Sequence, residues 1–336
     1  MTKPLHLALV GATGAVGQEI LSVLKKRQFR VASLRCFASP RSLGQTIAFL
    51  DQVIPLNVLD NASFEGVDIA IFCAGRKVSE QFAPIAVRSG AIVIDNSSFF
   101  RMDADVPLVI PEINPGALKR HKGIIASPNC STTIMLMALA PLHRVVPIKR
   151  IFAATYQAAS GAGAVAMEEL KMETQAVLNN TPFERSVMPF PYAFNLFIHN
   201  SPLQENGYVE EELKMLYETR KILEDDQIQV NATCVRVPIL RAHSEVLNVT
   251  FDRPITKDQA YAILEKAPGV QLLENRALNR FPMPIDASGH DDIFCGRIRE
   301  DLSTPNTLDF WVVGDQLLKG AALNAVQIAE SLLELR

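Results

Sequence analysis

One cysteine, Cys130, lies in a run of polar and turn-forming residues, SPNCSTT (127–133). A strand-like stretch (123–126) precedes the run, and an apolar pattern typical of a helix follows it from Ile134 to Leu142. Cys130 is therefore predicted near a helix N-terminus, where the dipole favours a thiolate and free N–H groups can hold an oxyanion or a phosphate. The alternative is a small cysteine packed in the core, which is the commoner fate of a cysteine. Because polar residues flank it on both sides, we predict that Cys130 is a nucleophile.

A glycine-rich turn, GATGAVG (11–17), follows the strand-like segment Leu5–Val10 and precedes a helical pattern. Glycines at 11, 14 and 17 permit a tight turn, close approach of the backbone to a pyrophosphate, and close packing of helix on strand. A structural turn without a ligand is the alternative. Since the turn joins the first strand to the first helix, we predict a dinucleotide site.

The second predicted strand, Val31–Phe37, ends without the acidic residue that usually holds the ribose hydroxyls of NAD. Ser39, Arg41 and Ser42 follow it instead. A guanidinium group between two hydroxyls suits the 2′-phosphate of NADP. A solvated surface loop is the alternative, and the position after the second strand favours NADP.

Further strands and helices alternate along the first half of the chain. Strands are predicted at 67–73 and 91–95, with a helix at 80–89 between them. This alternation predicts an α/β fold with a Rossmann-type, doubly wound parallel sheet, whose ligands bind at the carboxyl ends of the strands. Ala74 and Gly75 end one strand, and Arg101 follows the next as a candidate anion contact, although a single arginine is more often a surface charge.

The second half carries chemical groups next to predicted strands and helices. Gln157 ends a predicted strand and precedes the turn 158–163, which is equally consistent with the simple start of a helix. Glu211 and Lys214 share a face of a predicted helix, where a surface ion pair is the default interpretation. His243 lies in a polar run between two predicted strands. A lone histidine is more often a core residue, but in the company of Cys130 it is a candidate acid or base.

Composition limits the classes of function. A chain of 336 residues suits two domains, and a net charge of −3 gives no reason to expect nucleic acid or an anionic membrane as partner. Five scattered cysteines form no C-x-x-C pair, so neither a disulfide framework nor a metal site is predicted, and a reducing cytoplasm is expected. The uncharged stretch 124–142 is long enough for a membrane span, but its central polar residues exclude that interpretation. The last segment is predicted as one amphipathic helix with an apolar stripe from Leu317 to Leu335.

Taken together, these segments resemble the bacterial aspartate-β-semialdehyde dehydrogenases along nearly the whole chain. The resemblance is carried, in the family's order, by GATGAVG (11–17), ASPRSLG (38–44), DNSSFFRMDADVPLVIPEINP (95–115), SPNCSTT (127–133), YQAASGAG (156–163), NGYVEEELKMLYETRKIL (206–223), CVRVPILRAHSE (234–245) and VVGDQLLKGAALNAVQIAE (312–330). It implies an NADP-binding domain over 1–128 with 314–336 returning to it, an α+β catalytic and dimerisation domain over 129–313, and a homodimer. The implied reaction is the NADPH-dependent reductive dephosphorylation of L-4-aspartyl phosphate to L-aspartate 4-semialdehyde, a step toward lysine, threonine and methionine.

The resemblance also implies roles for individual residues. Cys130 would be the nucleophile, His243 the acid and base, and Gln157 the group that positions the reacting centre. Arg236 would bind the α-carboxylate of the substrate and Glu211 its amino group, while Arg101, Lys214 and Asn129 would bind phosphate. The implied cofactor contacts are Gly11, Thr13, Gly14, Ala15, Val16, Ser39, Arg41, Ser42, Ala74, Gly75, Ser160, Gly161 and Gln316. Two alternatives stay open: a related reductase of N-acetylglutamyl phosphate, and a non-catalytic relative with the same fold.

Overall fold

The computed structural model describes residues 4–334, so Leu335, predicted to end the last apolar stripe, lies outside the described residues. The strands are β1 (Leu5–Val10), β2 (Val31–Phe37), β3 (Thr46–Phe49), β4 (Gln52–Asn57), β5 (Ile69–Phe72), β6 (Ile92–Asp95), β7 (Ile124–Ala126), β8 (Ile148–Gln157), β9 (Phe197–Ile198), β10 (Gln229–Arg236), β11 (His243–Phe251), β12 (Val270–Leu272), β13 (Ile293–Glu300) and β14 (Thr307–Gly314). The α-helices are α1 (Ala15–Lys26), α2 (Arg76–Arg88), α3 (Cys130–His143), α4 (Ala164–Leu178), α5 (Glu210–Leu223), α6 (Lys257–Leu264), α7 (Pro284–Ala287) and α8 (Leu323–Glu334).

The chain forms two compact units, one comprising 1–129 and 321–336 and the other 130–320. The division into an NADP-binding domain (1–128 with 314–336) and a catalytic and dimerisation domain (129–313) stays a prediction.

The first unit is built on a seven-stranded sheet in the order β3-β4-β2-β1-β5-β6-β7. β1 pairs in parallel with both β2 and β5, and β5, β6 and β7 continue in parallel, whereas β3 joins β4 as an antiparallel hairpin. The strand order reverses at β1, so the carboxyl ends of β1 and β5 frame the crevice where doubly wound sheets bind ligands. The predicted doubly wound parallel sheet is confirmed.

The second unit is built on a mixed seven-stranded sheet in the order β12-β13-β14-β11-β8-β10-β9. β8 pairs in parallel with β10 and antiparallel with β11, and β11 pairs antiparallel with β14. Helix α3 is apolar on all sides and its residues from Ile134 to Ala140 are buried, as expected for a helix enclosed by its own unit. This arrangement confirms the α+β character predicted for the second domain.

Three local predictions need correction. Helix α2 begins at Arg76 rather than 80, because Gly75 adopts a positive φ of 88° and turns the chain into the helix directly after β5. His243 is the first residue of β11 and not part of a loop, since it pairs with Gly314 of β14. The last segment is not one continuous α-helix, because a π-helical turn at Leu318–Ala322 precedes α8. A search of residues 4–334 for a helix long and apolar enough to cross a membrane finds none.

Candidate active site

Cys130 is the first residue of α3, and its side chain is partly exposed. Pro128 lies two residues before it, and the hydroxyl-bearing residues 131–133 form the buried first turn of the helix. The buried body of α3 thus fixes the helix while its N-terminal end carries the thiol. The backbone N–H groups of that first turn provide the positive end of the helix dipole beside Cys130.

Gly320, in the π-helical turn, packs against Cys130. A Cβ atom added to Gly320 would lie 2.9 Å from the Cβ of Cys130, closer than two carbon atoms can approach. Only a glycine lets the backbone of this turn lie against the cysteine. The sequence does not single out Gly320, because a π-turn inside an apolar helical pattern leaves no local signal.

Gln157, at the end of β8, connects α3 with α5. Its amide nitrogen donates to the hydroxyl of Ser131 and to Oε1 of Glu211, both at 3.0 Å. A carboxylate only accepts, so this contact fixes which end of the amide is the nitrogen. The amide oxygen Oε1 is buried and has no hydrogen-bond partner within the described part of the chain. Gln157 therefore presents a fixed acceptor, suited to a donor on a ligand.

Glu211 and Lys214, in the first turns of α5, form an ion pair with a distance of 3.2 Å from Nζ to Oε2. The default prediction of a surface ion pair does not hold for Glu211. Its side chain is buried, and its other carboxylate oxygen accepts from Gln157. Lys214 also pairs with Glu210 at 3.3 Å and remains partly exposed. A buried carboxylate next to Gln157 is suited to a ligand ammonium group.

Arg236 ends β10 directly beside Gln157 and is buried. Its guanidinium group donates to Nε2 of His199 at 2.7 Å, to the Ala158 carbonyl at 3.3 Å and to Oδ1 of Asn200 at 3.4 Å. All three acceptors are neutral, and within residues 4–334 no carboxylate lies within ion-pairing distance of Arg236. A buried cation without a counter-ion favours an anionic ligand.

His243 is fully buried, and its ring presents one nitrogen toward the site. Nδ1 accepts from the backbone N–H of Ala158 at 3.1 Å, so the proton of the neutral ring is on Nε2. Nε2 has no hydrogen-bond partner among the described residues. The pKa of His243 is lowered to about 3, mainly by burial and further by the charge of Arg236, while Glu211 opposes the shift. The ring is therefore a neutral donor at physiological pH.

Gly161 keeps the space between the side chains of Arg236 and His243 open. A Cβ added to it would lie 2.9 Å from Nη1 of Arg236 and 3.1 Å from Nε2 of His243. Its neighbour Ser160 accepts a hydrogen bond from Gln316, whose amide oxygen accepts from the backbone N–H of Ala242 at 3.0 Å. Both the nitrogen and the oxygen of the Gln316 amide therefore form hydrogen bonds within the second unit. Its contact with the cofactor stays a prediction.

Arg101 and Asn129, two of the predicted phosphate ligands, belong to the first unit and are buried there. The Arg101 guanidinium donates to the carbonyls of Ser127 at 3.0 Å and Asn96 at 2.9 Å. It thereby ties the segments that follow β6 and β7. The other predicted catalytic and substrate residues belong to the second unit.

The first unit contains a cavity of about 530 Å³ next to the glycine-rich turn. Five of the predicted cofactor residues line this cavity: Gly11, Thr13, Gly14, Ser39 and Ala74. The other predicted cofactor residues of this unit lie at the starts of nearby helices. Ala15 and Val16 begin α1, Gly75 precedes α2, and Arg41 and Ser42 lie with Pro40 on a one-turn 3-10 helix.

Two features of this cavity fit a dinucleotide. Gly11 has a φ of +94°, and a Cβ there would lie 2.9 Å from the Cys73 carbonyl, so two backbone turns meet as only glycine allows. Helix α1 has no side-chain cap at its N-cap residue, Gly14, so its first N–H groups remain for a phosphate.

Comparisons with known proteins match two separate parts of the chain to two family profiles. The sequence profile of a family described as "Semialdehyde dehydrogenase, NAD binding domain" matches residues 6–121, and that of "Semialdehyde dehydrogenase, dimerisation domain" matches residues 139–319. The chain is 52% identical over 334 residues to the aspartate-semialdehyde dehydrogenase of Synechocystis sp., with 99% of each chain covered. It is 47% identical to that of Bacillus subtilis, with 100% of this chain and 99% of the relative covered.

A solved structure gives the same result in three dimensions. Aspartate semialdehyde dehydrogenase II from Vibrio cholerae, complexed with ASA, superimposes with a TM-score of 0.95 at 42% identity, and 99% of each chain is covered. Identity at this level over the full length extends to the enzyme class as well as the fold. The chain belongs to the aspartate-semialdehyde dehydrogenases, a family of oxidoreductase enzymes of amino-acid biosynthesis.

Proposed function

We propose that this enzyme reduces L-4-aspartyl phosphate to L-aspartate 4-semialdehyde with NADPH, releasing phosphate. A pair of buried charges in the unit that contains Cys130 carries the choice of substrate: Arg236, which has no counter-ion among residues 4–334, and Glu211, which accepts from Gln157. An α-amino acid bears one carboxylate and one ammonium group, which are the complements of these two charges. The Vibrio cholerae enzyme was solved in complex with ASA, which supports the same choice for this chain.

The first chemical step belongs to Cys130. Its thiolate attacks the carbonyl carbon of the acyl phosphate, the carbon–oxygen bond to phosphate breaks, and an acyl thioester on Cys130 remains. We assign stabilisation of the oxyanion to the N–H groups at the start of α3, because they lie next to the thiol and point out of the helix end. Arg101, Asn129 and Lys214 stay the predicted ligands of the phosphate group.

The second step reduces the thioester. NADPH, when bound, supplies the hydride. The carbonyl oxygen becomes negative as the hydride adds, and His243 holds a proton at Nε2 that can donate a hydrogen bond to it. Collapse of this alkoxide then releases the aldehyde and regenerates the thiolate. For His243 also to accept a proton at Nε2 as a base, the proton of the neutral ring must move to Nδ1. Nδ1 could then no longer accept from the backbone N–H of Ala158.

We infer NADP rather than NAD from the end of β2. Ser39 lines the cavity, and Arg41 is exposed on the one-turn helix that follows it. Arg41 makes no side-chain hydrogen bond or ion pair in the part of the chain that the structure describes, so its guanidinium group remains for the 2′-phosphate. No carboxylate follows the strand to repel that phosphate.

We also propose that the enzyme is a homodimer. The dimerisation profile covers most of the second unit. The segment before α5 exposes several large apolar side chains, as expected of a surface that pairs with another chain: Phe190, Phe194, Leu196 and Ile198. A cytoplasmic location stays a prediction from the scattered cysteines.

The test is reduction of NADP⁺ by the purified protein with L-aspartate 4-semialdehyde, with and without phosphate. We expect phosphate-dependent activity in the wild type, none in Cys130→Ser, and near wild-type activity in Cys295→Ala, which alters a cysteine buried in β13. N-acetylglutamate semialdehyde serves as the second substrate, because its blocked amino group has no use for Glu211. Preference for that aldehyde, or full activity in Cys130→Ser, would contradict the proposal.

A further inference from the structure

A second histidine, His199, holds the guanidinium group of Arg236. It directly follows the short strand β9, and its backbone N–H donates to the Cys234 carbonyl of β10 at 2.8 Å. This contact places the buried imidazole beside the end of β10, where Nε2 lies 2.7 Å from Nη2 of Arg236. It is the shortest of the three hydrogen bonds that Arg236 makes to the described residues.

The direction of this hydrogen bond determines the protonation state of His199. A guanidinium group only donates, so Nε2 must accept and cannot carry a proton. A neutral ring accepts at one nitrogen only, and the backbone N–H of Ser201 also points at Nδ1, at 3.1 Å. We assign the lone pair to Nε2, because the contact with Arg236 is the shorter of the two, and the ring proton to Nδ1. A doubly protonated ring would direct both of its N–H groups at donors. The pKa of His199 is lowered to about 4, mainly by burial; Glu211 opposes this shift, and Arg236 and Lys214 add to it. His199 is therefore a neutral acceptor.

A neutral acceptor has a consequence that a carboxylate would not have. Glutamate or aspartate at this position would orient Arg236 as well, but it would also neutralise the cation and compete with any anion for it. Imidazole fixes the guanidinium plane through one lone pair and leaves its net charge intact. The ligand then meets a cation that is already oriented, which lowers the entropic cost of binding.

We propose that His199 is a positioning residue for substrate recognition, which orients Arg236 for the α-carboxylate while leaving its charge unneutralised. The inference rests on the proposed function, because it takes the carboxylate of aspartate semialdehyde as the partner of Arg236. His199 touches Arg236 and not the reacting atoms, so its effect is on substrate affinity rather than on the chemical step.

Three substitutions separate orientation from charge. In His199→Ala, we expect the KM for aspartate semialdehyde to rise ~10-fold or more with little change in kcat, because a charged donor loses its acceptor. In His199→Gln, the amide oxygen can accept in place of Nε2, so KM should return close to the wild-type value. In His199→Glu, the ion pair with Arg236 should raise KM beyond that of the alanine variant. The KM for NADP⁺ should be the same in all of them.

A readout without turnover separates this inference from the proposed reaction. Alkylation of Cys130 by iodoacetamide is followed while L-2-aminobutyrate, which has the α-amino acid group but no aldehyde, is titrated as a protecting ligand. Protection should require ~10-fold more ligand in His199→Ala and an unchanged concentration in His199→Gln. Gln204→Ala is the matched control, since its exposed side chain lies in the same segment and, among the described residues, hydrogen-bonds only to the Pro202 carbonyl.

The possible results distinguish the role of His199 from the proposed reaction. Protection with the expected order of variants, in an enzyme that does not turn over aspartate semialdehyde, supports the role of His199 and contradicts the proposed reaction. Wild-type turnover with equal KM in His199→Ala and wild type overturns the role of His199 alone. Equal loss in the alanine and glutamine variants, with a lowered melting temperature in both, also overturns it, because the ring would then be needed only for folding.

Discussion

Glu245 is a fully buried carboxyl group on β11, two residues from His243 and on the same face of the sheet. It pairs across the sheet with Thr155 of β8 and Val312 of β14. Neither carboxyl oxygen has a hydrogen-bond partner among the described residues. Because burial disfavours the charged form, the pKa of Glu245 is raised well above its usual range. The folded enzyme therefore carries a protonated, neutral Glu245 under conditions in which the unfolded chain carries it ionised.

This difference in proton binding makes stability depend on pH in a known direction. Below the pKa of the unfolded glutamate, about 4.3, both states hold the proton and the group contributes no pH dependence. Above that value the folded state binds one proton more than the unfolded state, so stability falls as pH rises, by ~1.4 kcal/mol per pH unit, until the folded pKa is reached. Glu245→Gln keeps the shape of the side chain and removes the proton. The stability of the variant relative to the wild type should therefore increase with pH at that slope.

The measurement is the free energy of unfolding of both proteins in urea between pH 4.5 and 7.5, at one protein concentration and with activity as a check on folding. All other titrating groups are common to the two proteins, so the difference between the curves isolates Glu245. A difference that does not change with pH would show that Glu245 is ionised in the folded state, contrary to the expected neutral form. A difference of opposite slope would mean that the folded state stabilises the carboxylate.

Two further predictions follow from the site. Gly161→Ala should reduce kcat/KM about 100-fold with little change in melting temperature, because its Cβ would displace the guanidinium group of Arg236 or the ring of His243. Steady-state kinetics and a melting curve measure these two effects. Unchanged kinetics would contradict the open space assigned to Gly161. Arg41→Ala should raise the KM for NADP⁺ ~10-fold or more and leave that for NAD⁺ unchanged, because one charged hydrogen-bonding group is lost. Arg35→Ala is its control, since Arg35 lies on β2 but donates to the Ser63 carbonyl, and an equal effect of both variants would point to general surface charge.

The nucleotide-binding part of the fold could be predicted because its signals are local. The strand patterns of β1 and β2 and the glycine spacing 11–17 each lie within a few residues and need no distant partner. The sequence misplaces the start of α2, because basic residues at 76 and 77 do not suggest a helix N-terminus, and only the positive φ of Gly75 explains how the helix begins there.

The chemistry of the second unit could be predicted only in part. Cys130 and His243 belong to residue types that suggest catalysis and stand in polar runs. His199 and Gly320 do not differ from ordinary residues in the sequence, because their importance lies in contacts with Arg236 and Cys130, which are 37 and 190 positions away. Only the resemblance to known enzymes supplied the expected role of Arg236, which is one among many arginines until the fold brings it beside Gln157.

The charge of Arg236 connects ligand binding with proton affinity in this unit. The guanidinium group, which has no counter-ion within residues 4–334, adds to burial in lowering the pKa of both His199 and His243, so the protein without ligand keeps both rings neutral. A carboxylate that binds Arg236 cancels much of that field, and by linkage the pKa of His243 must then rise. Glu211 already acts in the same direction, and it is held in place by Gln157 and Lys214. In the proposed reaction, proton transfer at His243 is thus opposed most strongly when no carboxylate is bound at Arg236, so the proposed acid and base role of His243 would depend on substrate binding.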